Sequence, residues 1–284
     1  MTTATTAMIT GSTRLAGVVG WPISHSLSPR LQNCWIVAAQ INAAYVPFAV
    51  PPDRFAAFVA GLRGGAVVGL NVTAPHKEPA LALADRASPR ALAAGAANLL
   101  VFDADGSLGA DNTDGEGLLR AFAVQAPSFD PSAAPILILG AGGAARGAAS
   151  ALLEAGTPRI YLLNRNPERA SALARALGPQ VEVLSASPAK HLARSWGALI
   201  NATPAGLEAA SVLGLDLSAL SPGAVVMDMV YRPLLTPLLI AAAQRGLQTV
   251  DGLEMLIGQA RPSFTILFGI EPPPLDIRAV ALGA

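Results

Sequence analysis

Lys77 is the residue whose type and setting first suggest chemistry. It and Lys190 are the only lysines in a chain whose other basic side chains, histidines aside, are arginines. It stands just past an apolar run, in Asn71-Val72-Thr73-Ala74-Pro75-His76-Lys77-Glu78. An amine whose pKa is lowered by burial and neighbours can take or give a proton, and a nearby carboxylate can orient it. On composition alone Lys77 reads more readily as an ordinary surface lysine. Other polar clusters interrupt the apolar front half: Ser24-His25-Ser26-Leu27-Ser28-Pro29, Asn98, and Asp111-Asn112-Thr113-Asp114-Gly115. Each follows an expected strand or hairpin, where a rigid scaffold commonly displays its working groups. His76 invites reading as a proton shuttle, but a loop-packing or solvent-facing ring is the plainer role.

The back half carries a second pattern. Ile136–Leu139 is a continuous apolar run followed by Gly140-Ala141-Gly142-Gly143-Ala144-Ala145-Arg146, which fits G-x-G-x-x-A between a strand and an Ala-rich helix to Ala155. Gly140 permits the tight turn, Gly142 lets backbone N–H groups approach a pyrophosphate, and the small Ala145 allows close helix–strand packing. The helix N-terminus adds partial positive charge for phosphates. The next strand, Arg159–Leu163, ends at Asn164-Arg165-Asn166-Pro167-Glu168-Arg169. An Asp or Glu there would hold a ribose 2′-hydroxyl. Asn164 with Arg165 and Arg169 suits a 2′-phosphate instead, so the pattern favours NADP over NAD. A nicotinamide reaction on an alcohol needs a proton acceptor beside the hydride acceptor, which is the work Lys77 could do.

The elements that must position these residues alternate short apolar runs with Ala/Leu-rich helical stretches. Strands are expected at Arg14–Gly20, Ala43–Val50, Val67–Val72 and Ala97–Asp103, the last followed by an Asp105-Gly106 turn. Helices are expected at Pro29–Gln40, with Ser28 as its N-cap, and at Asp53–Arg63 and Pro79–Ala84. Residues 125–135 are rich in Pro, Ser and Asp and lead into the new βαβ unit. Two further strand ends, Ile200–Gly206 and Val225–Tyr231, are placed to line a ligand crevice. Gly252–Gly269 reads as one helix, Pro272-Pro273-Pro274 breaks it, and a short helix ends the chain. The expected division is 1–112 joined by 252–284 against 113–251. The fold class is α/β, with two α/β domains around a cleft and the second a Rossmann-like doubly wound parallel sheet.

The 284 residues suffice for two cores, with 52% hydrophobic and 13% charged residues and no net charge. That balance argues against disorder and gives nucleic acid no basic surface. No apolar run is long enough to span a membrane. Residues 1–13 read as a loose tail. Cys34, the single cysteine, cannot form an internal disulfide, reads as a buried packing residue, and fits a reducing cytoplasm. The histidines His25, His76 and His191 show no metal-ligand spacing, and no metal is expected.

The strings S-H-S-L-S-P, N-V-T-x-P-x-K-E, D-N-T-D-G, G-A-G-G-A-x-R, N-R-x-x-x-R, N-A-T-x-x-G and D-G-L-x-M-L-x-x-Q-A, in this order over about residues 17–260, resemble those of the shikimate dehydrogenase family. The resemblance implies NADP-dependent interconversion of shikimate and 3-dehydroshikimate, in the service of aromatic amino acid biosynthesis, by a monomer or homodimer. It implies Lys77 as the catalytic lysine and Asp111 as its partner. Ser26 and Ser28, with Tyr231, would bind the substrate carboxylate, and Thr73, Asn98 and Gln259 the ring. Gly140, Ala141, Gly142, Gly143 and Ala144 would hold the pyrophosphate, and Met229 and Gly252 would flank the nicotinamide. Hydroxyl and amide groups suit such a substrate, because each ring hydroxyl needs donors and acceptors. Gln32 stands where the family commonly has His, Leu99 where Thr is usual, and Glu254 where Gly is frequent. These departures bear on fine specificity. The rival readings are a quinate/shikimate dehydrogenase with NAD use, an NADP enzyme sharing only the second domain (a methylenetetrahydrofolate dehydrogenase or glutamyl-tRNA reductase), and a non-catalytic NADP-binding regulator.

Overall fold

In a computed structural model, residues 9–184, 196–204, 217 and 220–283 are described. Residues 1–8, Lys190, His191, Ala205 and Gly206 lie outside that set. The chain forms two compact units. One takes the residues up to Thr113 and those from Gln259 onward, and the other runs from Asp114 to Gly258.

The first unit is built on strands β1 (Arg14–Gly20), β2 (Ala43–Ala49), β3 (Val67–Val72), β4 (Arg86–Ala87), β5 (Leu99–Phe102) and β6 (Leu108–Asp111), in the order β2-β1-β3-β5-β6-β4. β1 pairs parallel with β2 and β3, while β5 runs antiparallel to both β3 and β6. The sheet is therefore mixed. The Asp105-Gly106 turn closes the β5–β6 hairpin, with Gly106 at φ +85°. Helices α1 (Ser28–Ala38), α2 (Phe55–Leu62), α3 (Lys77–Leu83) and α4 (Pro89–Ala94) connect the strands, and a 3₁₀ turn at Pro52–Arg54 precedes α2. One face of the sheet packs Val19, Leu70, Val72, Leu100 and Ala110 against Phe55 and Val59 of α2.

Several expectations need correction here. The helix expected at Asp53–Arg63 starts with the 3₁₀ turn and becomes α-helical only at Phe55. Ser28 does not cap α1. Leu27 occupies that position in helical conformation without a side-chain bond, and Ser28 is buried as the first helical residue. Its N–H donates to Ser26 Oγ at 3.3 Å, so the neighbouring serine satisfies the helix start. Cys34 is half-buried, not buried, because the inward face of α1 is taken by Leu31, Gln32, Trp35 and Ile36. Strand β6 completes the hairpin that the Asp105-Gly106 turn implies, whereas helix α4 and strand β4 carry no readable signal, since runs of two to six residues have too little periodicity.

The second unit holds β7 (Ile136–Leu139), β8 (Ile160–Leu163), β9 (Val181–Val183), β10 (Ala198–Asn201), β11 (Val225–Asp228) and β12 (Gln248–Asp251), all parallel, in the order β12-β11-β10-β7-β8-β9. The chain winds outward from β7 to β9, crosses back beside β7, and winds outward the other way. This is the dinucleotide-binding strand order, with its switch point between β7 and β10. Four residues suffice for β7 because all four are buried and apolar, as a central parallel strand requires. The described helices are α5 (Asp114–Gln125), α6 (Gly143–Glu154), α7 (Pro167–Leu177) and α8 (Pro237–Gln244).

Helix α9 (Gly252–Phe268) starts in the second unit and finishes in the first; α10 (Ile277–Leu282) packs beside α1. Its later half is fixed to the first unit by named contacts. The Gln32 Nε2 amide donates to Ala260 O at 3.1 Å, and Phe264 meets Trp35 edge-on at 5.7 Å between centroids. The Gln that departs from the family pattern is thus a buried tie between α1 and α9. Asn33 beside it bonds both the N–H and the C=O of Tyr45, acting as a short substitute strand on the edge of β2.

His76 is 1% exposed. Its ring stacks on Phe55 at 4.3 Å and its Nε2 lies 2.8 Å from Val50 O. The loop-packing role holds, and the solvent-facing alternative does not. Burial lowers its pKa, partly opposed by the Val50 carbonyl. A folded pKa below the unfolded value means the neutral ring contributes stability above about pH 6.5, lost as pH falls through the lowered value. We expect His76→Gln to cost about 1–2 kcal/mol at pH 7.5 in urea unfolding. That deficit should shrink by pH 5.5; a deficit independent of pH would contradict a buried neutral imidazole.

Candidate active site

Lys77 follows β3 as the first residue of α3 and Asp111 is the last residue of β6, and β5, the strand between β3 and β6, joins the two. In the sheet register Asn71 faces Leu99 and Leu99 faces Asp111. Just before β5, the Ala97 N–H donates to Lys77 O at 2.8 Å and the Asn98 N–H donates to Asp111 O at 3.0 Å. Two consecutive peptide groups therefore hold the backbones of the expected acid/base residues on either side of one dipeptide. Lys77 opens α3 and is half-buried.

Asp111 is held by a set of donors that the sequence did not suggest. Arg90 Nε and Nη2 donate to its Oδ1 and Oδ2, each at 2.7 Å. Ser88 Oγ lies 2.5 Å from Oδ1, and the Asn112 N–H donates to Oδ1 at 2.7 Å. Burial by itself would raise this carboxyl, but Arg90, Ser88 and the Asn112 amide outweigh it and hold the pKa below the usual range. Asp111 is thus a carboxylate at neutral pH. The one sequence cue was Ser88-Pro89-Arg90, a helix-start pattern in which Ser88 accepts from the Ala91 N–H.

Asn98 and Gln259 meet in a buried polar knot. Asn98 Nδ2 donates to Thr113 Oγ1 at 2.9 Å and to Gln259 Oε1 at 3.2 Å, and its Oδ1 accepts from the Thr113 N–H at 2.8 Å. Ser263 Oγ lies 3.1 Å from Thr113 Oγ1 and accepts from Asn71 Nδ2 at 2.9 Å. The Tyr45 hydroxyl donates to Asn71 Oδ1 at 2.8 Å. Burial raises the Tyr45 pKa well above its ordinary value, so it stays a neutral donor. Thr113, Ser263 and Tyr45 were missed as members; Ser263, four residues after Gln259 on one helix face, was the available signal. Leu99, where the family usually has Thr, is fully buried.

The end of β1, which leads into the serine loop, and the end of β3, which leads into Thr73, are tied through the backbone. The Thr73 N–H donates to Val19 O at 2.9 Å and the Trp21 N–H to Ala74 O at 3.1 Å, so the ends of β1 and β3 advance together. Ser26 and Thr73 are half-buried, while Ser28 is 7% exposed.

In the second unit the glycine turn follows β7 at the switch point. Gly140 sits at φ +110°, where a side chain would be strained and would press on Ala202 O at 3.1 Å. Gly142 is the N-cap of α6 in extended conformation, and the space where its Cβ would lie is open, with Arg169 Nη2 nearest at 4.0 Å. Ala145 is fully buried against the sheet. Beyond β8, Asn164 Nδ2 donates to Asn166 O, and Asn166 caps α7 through the Arg169 N–H. Arg165 and Arg169 are exposed. An open cradle under a helix N-terminus, with guanidinium groups at the neighbouring strand end, fits a phosphorylated dinucleotide.

Met229 and Gly252 are neighbours. A Cβ on Gly252 would come within 2.3 Å of Met229 O, so glycine is required there. Asp228, just before Met229, is fully buried and accepts from Asn201 Nδ2, the Val230 N–H and Thr236 Oγ1. Its donors are neutral, and burial raises its pKa. Tyr231, half-buried, continues this loop in the second unit. Glu254 is buried in the first turn of α9, its N–H bonded to Asp251 Oδ1 at 3.0 Å. Among the described residues, no group of three or more His, Cys, Asp or Glu side chains gathers as a metal site would require, and no helix is long and apolar enough to cross a membrane.

Comparison with known proteins agrees along the chain. Residues 18–100 match the shikimate dehydrogenase substrate binding domain, 124–209 match shikimate / quinate 5-dehydrogenase, and 252–282 match the shikimate 5'-dehydrogenase C-terminal domain. The chain is 55% identical over 278 residues to the shikimate dehydrogenase (NADP(+)) of Caulobacter vibrioides, covering 98% of each protein. Among solved structures, it resembles shikimate dehydrogenase from Aquifex aeolicus (TM-score 0.86, 34% identity, 97% of this chain and 98% of that one). It also resembles the Thermus thermophilus shikimate 5-dehydrogenase in complex with NADP(H) and shikimate (TM-score 0.83, 33% identity, 95% and 98%). The chain belongs to the shikimate dehydrogenase family.

Proposed function

We propose that this chain is an NADP-dependent oxidoreductase that interconverts shikimate and 3-dehydroshikimate, with Lys77 and Asp111 as its acid/base pair. The observation that carries the residue assignment is the Ala97-Asn98 dipeptide, bonded to the Lys77 carbonyl on one side and the Asp111 carbonyl on the other. The chemistry itself is that of the relatives just described, at 55% identity over nearly the whole chain.

In oxidation, Lys77 takes the proton of the reacting hydroxyl, and in reduction it returns one. Asp111 stays ionised throughout and stabilises the ammonium form of its partner. Asn98, Gln259 and Thr73 supply amide and hydroxyl groups for the ring, and Ser26 and Ser28, with Tyr231, supply hydroxyls for the carboxylate. A substrate lacking one ring hydroxyl would leave those buried partners unpaired, which is how such sites discriminate. Gly140, Ala141, Gly142, Gly143 and Ala144 would hold the pyrophosphate of NADP at the start of α6. Asn164, Arg165 and Arg169 would take the 2′-phosphate, and Met229 and Gly252 would border the nicotinamide. When bound, the cofactor supplies the hydride acceptor or donor. The reductive direction serves aromatic amino acid biosynthesis. We place the enzyme in the cytoplasm, where a lone thiol such as Cys34 stays reduced, and as a monomer or homodimer.

Lys77→Ala should lower kcat at least about 100-fold with a much smaller change in shikimate binding, as loss of a general acid/base requires. Near-normal turnover in an absorbance assay of the reduced nicotinamide would remove Lys77 from the reaction. Arg165→Ala should raise the KM for NADP about 10-fold or more while leaving NAD nearly untouched. Equal losses with both cofactors would argue against a 2′-phosphate contact.

A further inference from the structure

We propose that Arg90, assisted by Ser88, is a positioning residue for catalysis: it clamps the Asp111 carboxylate so that Oδ1 is filled and Oδ2 is the oxygen turned to the proton-transfer partner. This rests on the assignment of Lys77 and Asp111 to the reaction.

The coordination of the carboxylate is lopsided. Oδ1 accepts from Arg90 Nε at 2.7 Å, Ser88 Oγ at 2.5 Å and the Asn112 N–H at 2.7 Å. A carboxylate oxygen offers about two lone-pair sites, so three donors saturate it. Oδ2 accepts from Arg90 Nη2 at 2.7 Å. The two parallel bonds of a guanidinium fork fix both the direction and the rotation of the carboxylate plane, which one point charge would not do. The Asp111 side chain is 18% exposed, while the Arg90 side chain that reaches it is 39% exposed.

The clamp is itself braced. Ser88 accepts from the Ala91 N–H at 3.2 Å while its hydroxyl reaches Asp111. The Ser88 N–H donates to Ala110 O at 2.9 Å, which ties the start of α4 to β6. Helix α4 has only six residues, too few to be stable alone, and ends at Gly95 in the left-handed region. It works as a bracket that brings Arg90 to the carboxylate. A positioning clamp makes the protonation state of Asp111 depend on Arg90, because without the guanidinium the opposing effect of burial gains weight.

The test is the pH dependence of shikimate oxidation by the full-length enzyme with saturating NADP+. In Arg90→Met, kcat should fall about 10-fold or more while the KM for shikimate moves less than about 3-fold, and the acid limb of the kcat/KM profile should move toward neutral pH by about one unit. Arg90→Lys keeps the charge without the fork and should fall between the two. In an Asp111→Asn background, Arg90→Met should cause no further loss in kcat. If Arg90→Met does not fold by circular dichroism, Arg90→Lys carries the test alone. A wild-type acid limb in the folded Arg90 variant, or a loss confined to KM, overturns the clamp while leaving Lys77 and Asp111 in place. If Asp111→Asn turns over like the wild type, the acid/base reading falls, and the clamp with it.

Discussion

The peptide groups of Ala97 and Asn98 are the constraint on which the chemistry proposed for the first unit depends. Their two N–H donors face opposite ways along the start of β5 and are spent on Lys77 and Asp111. That geometry exists because β5 runs antiparallel between β3 and β6. A wholly parallel arrangement would need a crossover between each pair of neighbours and would separate these ends in sequence and in space. The mixed sheet is what allows residues from two different strand ends to be measured against one dipeptide.

The Asn98 side chain continues the same function inward. Its amide is shared between Thr113, which ends the first pass of the chain through this unit, and Gln259, which begins the return. Ser263, Asn71 and Tyr45 extend the knot to the sheet. Buried polar groups are costly unless satisfied, and here the bonds of Asn98, Thr113 and Asn71 link elements that the chain visits at different times. The knot therefore specifies where the later half of α9 docks, a job that Trp35, Phe264 and the Gln32 amide complete with apolar contact and one further bond.

Two aspartates, Asp111 half-buried and Asp228 fully buried, show how environment divides one side-chain type into two roles. Asp111 meets a guanidinium, and its ionised form is favoured over the opposing effect of burial. Asp228 meets only an amide, a hydroxyl and a backbone N–H, and burial dominates. The first suits a charged partner to a proton-transfer group. The second fixes the loop that carries Met229 and Tyr231, whose position beside Gly252 leaves no room for a side chain there.

The sequence alone determined the centre of the second unit: β7, the glycine turn into α6, β8, and the ends of β10 and β11. Parallel strands buried on both faces read as short apolar runs, and the glycine turn after Leu139 is a local signal whose meaning needs no distant partner. It also supplied Lys77, Asp111 and Asn98, and the ordered strings that resemble one family. It did not supply the donors around Asp111, the location of the Ser28 hydroxyl within α1, or the contacts that seat the later half of α9. Those were decided by tertiary contact. Asn98 and Gln259 lie 161 positions apart, and Arg90 and Asp111 lie 21 apart with a strand and a hairpin turn between them. A hydrogen bond between remote residues leaves no periodicity in the chain, because its partners are selected by the packed shape and not by their neighbours in sequence.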